Sequence, residues 1–375
     1  MEIYSSYEFD KINSSRHSKR RLYEIYPGKN TFCCKGSIST GPDIKKLIGA
    51  LLLYNLPIFI FLGLQIYWIH QKNSQNEKYI NWIDSHFNLK ASLFFSFLFW
   101  FLTNLFLLLT SFVDPGVIQR KPFSNNGKNE NENSNSKPDS CHIKHIKLEK
   151  VYCVTCNIYR PPRTSHCSNC NNCVMVFDHH CPWVGTDIGL RNYRFFASFL
   201  FSVLTTSIYT TALCAFFLIS IVYDFFQKKH QQTGYPLYLA LSFSLSLISL
   251  GFGIFGIYAI LSLVKLHCFL ISKNLTTREY LKDIYVGTDN PFDNGCLSNW
   301  KEKFCTKIPP KQINYRAFAT HKEITSLENQ LEENRGGFLG SKKAKEILKQ
   351  EAEKIRIEFE VIDTPHMNGE WIELK

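Results

Sequence analysis

The sequence predicts an α-helical polytopic membrane protein, with four transmembrane helices and a small cysteine-rich domain between the second and the third. Three observations predict it. Four apolar runs, at 47–69, 91–113, 195–222 and 235–264, are each long enough for a helix to cross a hydrocarbon core, which takes about 20 residues. Between the second and third run lies a block, 151–194, in which Cys and His recur at short spacings. The remaining segments are polar, so a chain that is 45% hydrophobic and 15% aromatic has a mean hydropathy of only −0.14.

The N-terminal segment, 1–46, is polar and lacks the apolar core of a cleavable leader. Cys33 and Cys34, a pair without His partners, read as structural or as a lipidation site beside the membrane rather than as metal ligands. The first run holds Pro57, which a membrane helix tolerates. A short polar loop, 70–90, leads to the second run, which is dense in Phe and Leu. Asp114-Pro115-Gly116 then stops the helix in a turn. In the loop 114–150, residues 125–140 are rich in Asn, Lys and Ser and are expected to be disordered. A second short loop, 223–234, separates the third and fourth runs. Gly251-x-Gly253-x-x-Gly256 has the letters of a dinucleotide fingerprint, but it lies inside an apolar run with no strand before it. It predicts close helix packing instead. The region 265–375 is polar, with a charged helix expected over 321–350 and an extended tail over 355–375.

The block 151–194 carries the chemistry. Cys153-x-x-Cys156, His166-Cys167-x-x-Cys170-x-x-Cys173 and His180 supply seven soft or borderline ligands, in the spacing that tetrahedral Zn²⁺ requires. Seven ligands exceed the four of one site, so a second metal is implied. Cys181 belongs to neither Cys-x-x-Cys clip and sits beside His179 and Asp178. An imidazole held by a carboxylate is how a thiol becomes a nucleophile near neutral pH. The competing assignment makes Cys181 one more metal ligand.

Charge and redox chemistry bear on topology. The net charge of +11 comes without a basic stripe of the recognition-helix kind, so nucleic acid is not an expected partner. Basic residues concentrate in the N-terminal, central and C-terminal segments, which places all three in the cytosol and the loops 70–90 and 223–234 in the lumen. Thiolate ligands and a nucleophilic thiol need a reducing compartment, which gives the same orientation. A zinc transporter is disfavoured because no run has a carboxylate or His at its centre. A membrane-anchored zinc module that recruits protein partners remains as the non-enzymatic alternative.

The ordered series Cys153-x-x-Cys156, Arg160-Pro161-Pro162-Arg163, His166-Cys167, Cys170, Cys173, Asp178-His179-His180-Cys181, Trp183, Gly189 and Asn192 closely resembles the cysteine-rich domain of the DHHC protein S-acyltransferases, or palmitoyltransferases. Asp114-Pro115-Gly116, Thr276-Thr277-Arg278-Glu279 and the stretch from Asn290 to Cys296 resemble further motifs of that family, in its order. The stretch from Arg21 to Asp43 looks like the N-terminal part of plant and Ras-modifying members. The resemblance implies a two-step enzyme. A long-chain acyl-CoA, most often palmitoyl-CoA, acylates Cys181, and the chain then passes to a cysteine of a membrane-associated protein substrate. His179 is the implied base, oriented by Asp178. Two structural Zn²⁺ are implied, one held by Cys153, Cys156, His166 and Cys173, the other by Cys167, Cys170, His180 and position 187. Arg160 and Arg163 match positions near the CoA phosphates, where the alternative is attraction to anionic headgroups. Trp183 is assigned to the acyl-CoA site or, alternatively, to the membrane interface. Thr277 is implied to hydrogen-bond Asp178, and Asn290 to organise the floor of the site. The family resemblance also implies an endomembrane location, in Golgi or endoplasmic reticulum.

One departure from the family pattern stands out: Asp187 occupies a position that usually holds Cys. Carboxylate is a legitimate Zn²⁺ ligand, so the expectation is that Asp187 closes the second site; closure by water and loss of the site are the alternatives. The acyl chain is expected to run from Cys181 along the third crossing, with Thr205, Thr206 and Ser207 at the far end of its cavity.

Overall fold

The computed structural model describes residues 20–73, 88–121, 141–144, 146–148, 150–227, 236–320 and 323–325. After a short helical turn, α1 (Leu22–Ile25), come four long helices: α2 (Ile44–Asn73), α3 (Leu89–Phe112), α4 (Tyr193–Gln227) and α5 (Pro236–Ser272). All four are long and apolar enough to cross a membrane, over Ile44–Ile66, Leu89–Phe112, Tyr193–Val222 and Phe243–Ser272. The Asn-rich stretch 125–140, the middle of the loop 70–90, most of the loop 223–234, the expected tail at 355–375 and all but the helical residues 323–325 of the expected helix at 321–350 lie outside the described residues.

Helix α4 is central, packed on α5 and on α3. Apolar side chains such as Leu52, Phe97 and Ile254 are exposed, as suits a lipid-facing surface. Inside, hydroxyls turn back on their own helix: Ser96 Oγ donates to the Ser92 carbonyl at 2.9 Å and Thr206 Oγ1 to the Ser202 carbonyl at 2.7 Å. Such groups have no water to turn to in a membrane, so they bond within the protein. Between helices, Asn55 Nδ2 donates to Asn104 Oδ1 at 3.0 Å, and Trp100 Nε1 also donates to Asn55, tying α2 to α3. Gly253 and Gly256 of α5 lie against Thr211 and Ser207 of α4, the close packing expected of the glycine run, whereas Gly251 faces open space.

The fourth helix runs past the expected end at 264 to Ser272. Lys265 and His267 interrupt the apolar run without breaking the helix. It stops where Asn274 takes the left-handed conformation, φ 47°, with Asn274 N–H donating to the Ile271 carbonyl and Leu275 N–H to the Leu270 carbonyl. This pair of bonds is a Schellman stop. The extra turns bring His267 to the base of the helix bundle.

The cysteine-rich domain and the segments around it contain five antiparallel hairpins: β1 (Thr31–Cys33) with β2 (Ile38–Thr40), β3 (Cys141–Ile143) with β4 (Ile146–Leu148), β5 (Tyr152–Cys153) with β6 (Ile158–Tyr159), β7 (Ser165–Cys167) with β8 (Asn172–Val174), and β9 (His179–Cys181) with β10 (Thr186–Ile188). Hairpins this short are not stable alone, so other interactions must hold them. The N- and C-terminal segments clasp one side: Tyr26 and Phe32 pack on Tyr315 with ring centroids 5.0 and 4.9 Å apart, and Lys29 N–H donates to the Cys170 carbonyl. On the membrane side, Asp114 Oδ1 accepts from the backbone of Gly116 and Val117 and from Arg191, so the turn after α3 is locked to the start of α4. Fully buried Asn192 donates to the carbonyls of Thr110 and Asp187.

The strongest tie runs from Arg163 to the end of α5. A short helix, α6 (Thr277–Leu281), begins with a capping box in which Thr276 and Glu279 satisfy each other's backbone N–H. Glu279 then accepts two bonds from Arg163, at 2.7 and 2.6 Å, while Arg163 also donates to the side chain and carbonyl of Asn274. Both side chains of the pair are 5% exposed. Breaking a buried ion pair by removing one partner costs about 3–5 kcal/mol. A final helix, α7 (Cys296–Cys305), lays Trp300 against Phe201 of α4.

Candidate active site and metal centres

The register of the β9–β10 hairpin distributes the functional side chains. His180 pairs with Asp187, His179 with Ile188 and Cys181 with Thr186. Successive strand residues face opposite ways, so His180 and Asp187 share one face while His179 and Cys181 share the other. The same alternation in β7 sends His166 to one ligand group and Cys167 to another.

On the first face the ligands fall into two groups of four, Cys153, Cys156, His166 and Cys173, and Cys167, Cys170, His180 and Asp187, with the ligand atoms of each group within 4.8 Å of one another. A tetrahedral Zn²⁺ with bonds of about 2.0–2.3 Å sets its ligand atoms about 3.3–3.8 Å apart. In the first group His166 Nδ1 lies 3.6, 3.4 and 3.8 Å from the sulfurs of Cys153, Cys156 and Cys173. In the second, His180 Nδ1 is 3.5 Å from Cys170 Sγ and 2.8 Å from Asp187 Oδ1. Asp187 is 1% exposed, and a carboxylate so buried needs a cationic partner. Donor chemistry makes both groups compatible with zinc, which would cross-link hairpins that cannot stand alone. The spacing of the first group fits directly, whereas His180 and Asp187 stand at hydrogen-bond distance and would open by about half an ångström around an ion.

On the second face, His179 Nδ1 is 2.7 Å from Asp178 Oδ2. Asp178 is buried and also accepts from Thr277, at 2.6 Å from the hydroxyl and 2.8 Å from the backbone N–H. Burial pushes the Asp178 carboxyl up, but the bonds from His179 and Thr277 outweigh it and hold the group below the usual carboxylate range. For His179 burial opposes the charge, yet Asp178 and Cys181 raise it to about 9. Burial alone would push the Cys181 thiol up; the neighbouring His179 reverses this and lowers it. A buried carboxylate, an imidazole fixed by it and a thiol whose pKa that imidazole lowers have the arrangement a thiol nucleophile and its base require.

A cavity of about 790 Å³ opens from this face and runs among α2, α4 and α5. His179, His180, Cys181 and Trp183 line its mouth, His180 with its ring nitrogens turned to Asp187 and Asp43, and Thr206, Ser207, Thr210 and Cys214 line it further along α4. At 1.5 Å per residue, Thr206 stands about 15 Å beyond Phe196, and Cys214 about 27 Å beyond it. The cavity wall is almost wholly apolar, as a site for a hydrocarbon chain must be.

Several residues singled out in the sequence stand elsewhere than expected. Arg163 is not presented to solvent: its guanidinium is committed to Glu279 and Asn274 and stacks 4.4 Å over Phe292. Neither Arg160 nor Arg163 lines the cavity. Thr205 faces a separate groove between α3 and α4 with Phe99, Leu102 and Phe106, whereas Thr206 and Ser207 line the cavity. One residue along a helix turns the side chain by about 100°, which separates these neighbours. Trp183 is 62% exposed at the mouth. Asn290 accepts from Phe292 N–H and donates to the carbonyls of Lys273 and Asn274, bracing the segment beneath α5. Sequence reasoning missed His267. It is buried in α5, bonded through Nδ1 to the Tyr193 hydroxyl at 3.0 Å, with its ring 6.3 Å from that of His179.

Comparison with known proteins agrees with this geometry. A family model described as DHHC palmitoyltransferase matches residues 146–284. The chain is 32% identical to probable protein S-acyltransferase 1 of Arabidopsis thaliana, over 83% of this chain and 90% of that protein. It is 33% identical to probable protein S-acyltransferase 7 of the same plant, over 82% of this chain and 68% of that protein. With mouse palmitoyltransferase ZDHHC9 the identity is 29%, over 86% and 87% of the two chains.

The second metal group gives a direct test. Asp187→Ala is expected to leave two zincs per chain at saturating metal but to release one of them to a chelator at least about tenfold faster than the parent. Asp187→Cys is expected to release it more slowly than the parent, thiolate being the softer ligand. Metal analysis that finds one zinc per chain in the active parent protein contradicts the assignment.

Proposed function

Because the chain belongs to the DHHC palmitoyltransferase family, and is thus a protein S-acyltransferase, we propose that it takes a long-chain acyl group from acyl-CoA and passes it through a Cys181 thioester to cysteines of membrane-associated proteins. The observation that carries this reading is the juxtaposition of Asp178, His179 and Cys181 at the mouth of an apolar cavity that reaches into the helix bundle. An acyl tail has a dry place to lie while its carbonyl stays beside the thiol.

In the first half-reaction His179 takes the proton of Cys181, and the sulfur attacks the thioester carbonyl. The bond from acyl carbon to CoA sulfur breaks, and CoA leaves with the proton returned by His179. In the second half-reaction His179 takes the proton of the substrate cysteine, whose sulfur attacks the Cys181 thioester. Cys181 leaves and recovers that proton. Asp178, held by Thr277, fixes the His179 tautomer and stabilises the imidazolium that forms in each half. Zn²⁺ held by Cys153, Cys156, His166 and Cys173, and by Cys167, Cys170, His180 and Asp187, would supply cross-links between the hairpins.

With Arg163 committed to Glu279, the CoA phosphates are assigned to basic side chains other than Arg163 on the same side of the membrane as the cysteine-rich domain. That side is the cytosol, where thiols stay reduced, and the membrane is one of the endomembranes, Golgi or endoplasmic reticulum. The bilayer presents both the donor's tail and the substrate.

Incubated with palmitoyl-CoA, the purified protein is expected to acquire a hydroxylamine-labile acyl group that Cys181→Ala abolishes, with zinc content unchanged. Loss of zinc in Cys181→Ala would make this residue a ligand and overturn the assignment. For chain length, Thr206→Trp is expected to shift the donor preference from palmitoyl and stearoyl towards myristoyl or shorter chains. A donor profile identical to that of the parent would remove Thr206 from the cavity's working length.

A further inference from the structure

We propose that Asp43, the residue before the first membrane helix, is a positioning residue of the second metal site, holding His180 from behind and fastening the catalytic hairpin to α2. The inference rests on the assignment of Cys167, Cys170, His180 and Asp187 as that site.

The two ring nitrogens of His180 face different partners. Nδ1 is turned to the ligand group, and Nε2 lies 2.8 Å from Asp43 Oδ2. An imidazole that offers the Nδ1 lone pair to a metal must carry its proton on Nε2, and Asp43 accepts that proton's hydrogen bond. A carboxylate in this position fixes the tautomer and the ring orientation and makes the ligand more basic. The pair is well shielded, with side chains 8% and 22% exposed. The other oxygen, Asp43 Oδ1, pairs with Lys46 at 3.0 Å.

A second, independent contact holds the same segment against the same hairpin. Gly41 packs so closely on the turn between β9 and β10 that a Cβ there would stand 2.8 Å from Thr186 Cα. That turn is made by Gly185 at φ 79°, which itself lies against Asp43 and Leu47. The Asp43 carbonyl accepts from Lys46 and Leu47 N–H at the start of α2, so the carboxylate is mounted on the end of a rigid element. Residues about two to three turns further along that helix, Ala50, Leu53 and Tyr54, line the cavity. Asp43 therefore sets the metal site, the Cys181 hairpin and the cavity wall in one frame.

The substitution at position 187 gives this contact its weight. A carboxylate oxygen is a harder donor than thiolate and a poorer match to Zn²⁺. Strengthening His180 on the same metal offsets that deficit.

The test uses the full-length chain in detergent, loaded with zinc, with release to a chromogenic chelator followed in time. The parent is expected to hold two zincs. Asp43→Ala is expected to release one of them about 10–100-fold faster, with the other unchanged at the parent rate, reporting an intact fold. Asp43→Asn retains an acceptor without the charge and is expected to fall between. Lys46→Ala, which removes only the other partner of Asp43, is expected to match the parent. Should Asp43→Ala fail to fold and lose both metals together, selective release of one zinc from Asp43→Asn supports the inference and equal release of both overturns it. Parent-like release from both Asp43 variants overturns it while leaving the two-site assignment intact. Acceleration by Lys46→Ala equal to that by Asp43→Ala overturns it too. A single zinc in the parent overturns both.

Discussion

Successive side chains of the β9 strand point to opposite faces, and the rest of the site depends on this alternation. His180 is paired across the hairpin with Asp187 and turned to the metal-compatible group, which leaves His179 and Cys181 together on the face that opens into the apolar cavity. A strand of three residues thereby turns its two His, neighbours in sequence, to different surroundings: His180 to the metal-compatible group and His179 to Asp178. A slip of one residue in the register would exchange the two sets of side chains between faces. Buried Asn192 and the Arg163–Glu279 ion pair brace the segments on either side of this hairpin, and its ligand group is one that could hold a metal.

The second requirement is that a small domain of short hairpins stay fixed relative to a helix bundle. Buried polar ties do this from several directions. Arg163 grips Glu279 and Asn274 at the end of α5, Thr277 delivers two bonds to Asp178 from the next residues along, and Arg191 locks onto Asp114 at the end of α3. The helix that ends in the Asn274 stop thus positions the carboxylate that positions the base. His267, bonded to Tyr193 and close to the His179 ring, continues the same polar path into the bundle.

Much of this was legible in the sequence because the signals are local. The crossings follow from apolar length, and the gathering of Cys, His and Asp into two groups of four follows from short spacings within one block. What depended on long-range packing was not legible. Arg163 looks like any basic residue beside a membrane; only its contact with Glu279, 116 positions away, shows that its charge is spent. Thr205 and Thr206 are indistinguishable until the phase of α4 is known. The fourth helix reads as ending at Val264 because polar residues follow, whereas the stop is the left-handed Asn274. Asp43 meets His180 across 137 positions, and no pattern at either end announces it.

The claim that β9 divides its two His between cross-linking and chemistry is tested most directly by comparing His179→Ala with His180→Ala in purified protein, measuring zinc per chain and the rate of self-acylation together. The account predicts that His179→Ala keeps two zincs and acylates about 10²–10⁴-fold more slowly, the usual contribution of a general base, whereas His180→Ala loses one zinc. Loss of zinc from His179→Ala, with full zinc retained in His180→Ala, would contradict it.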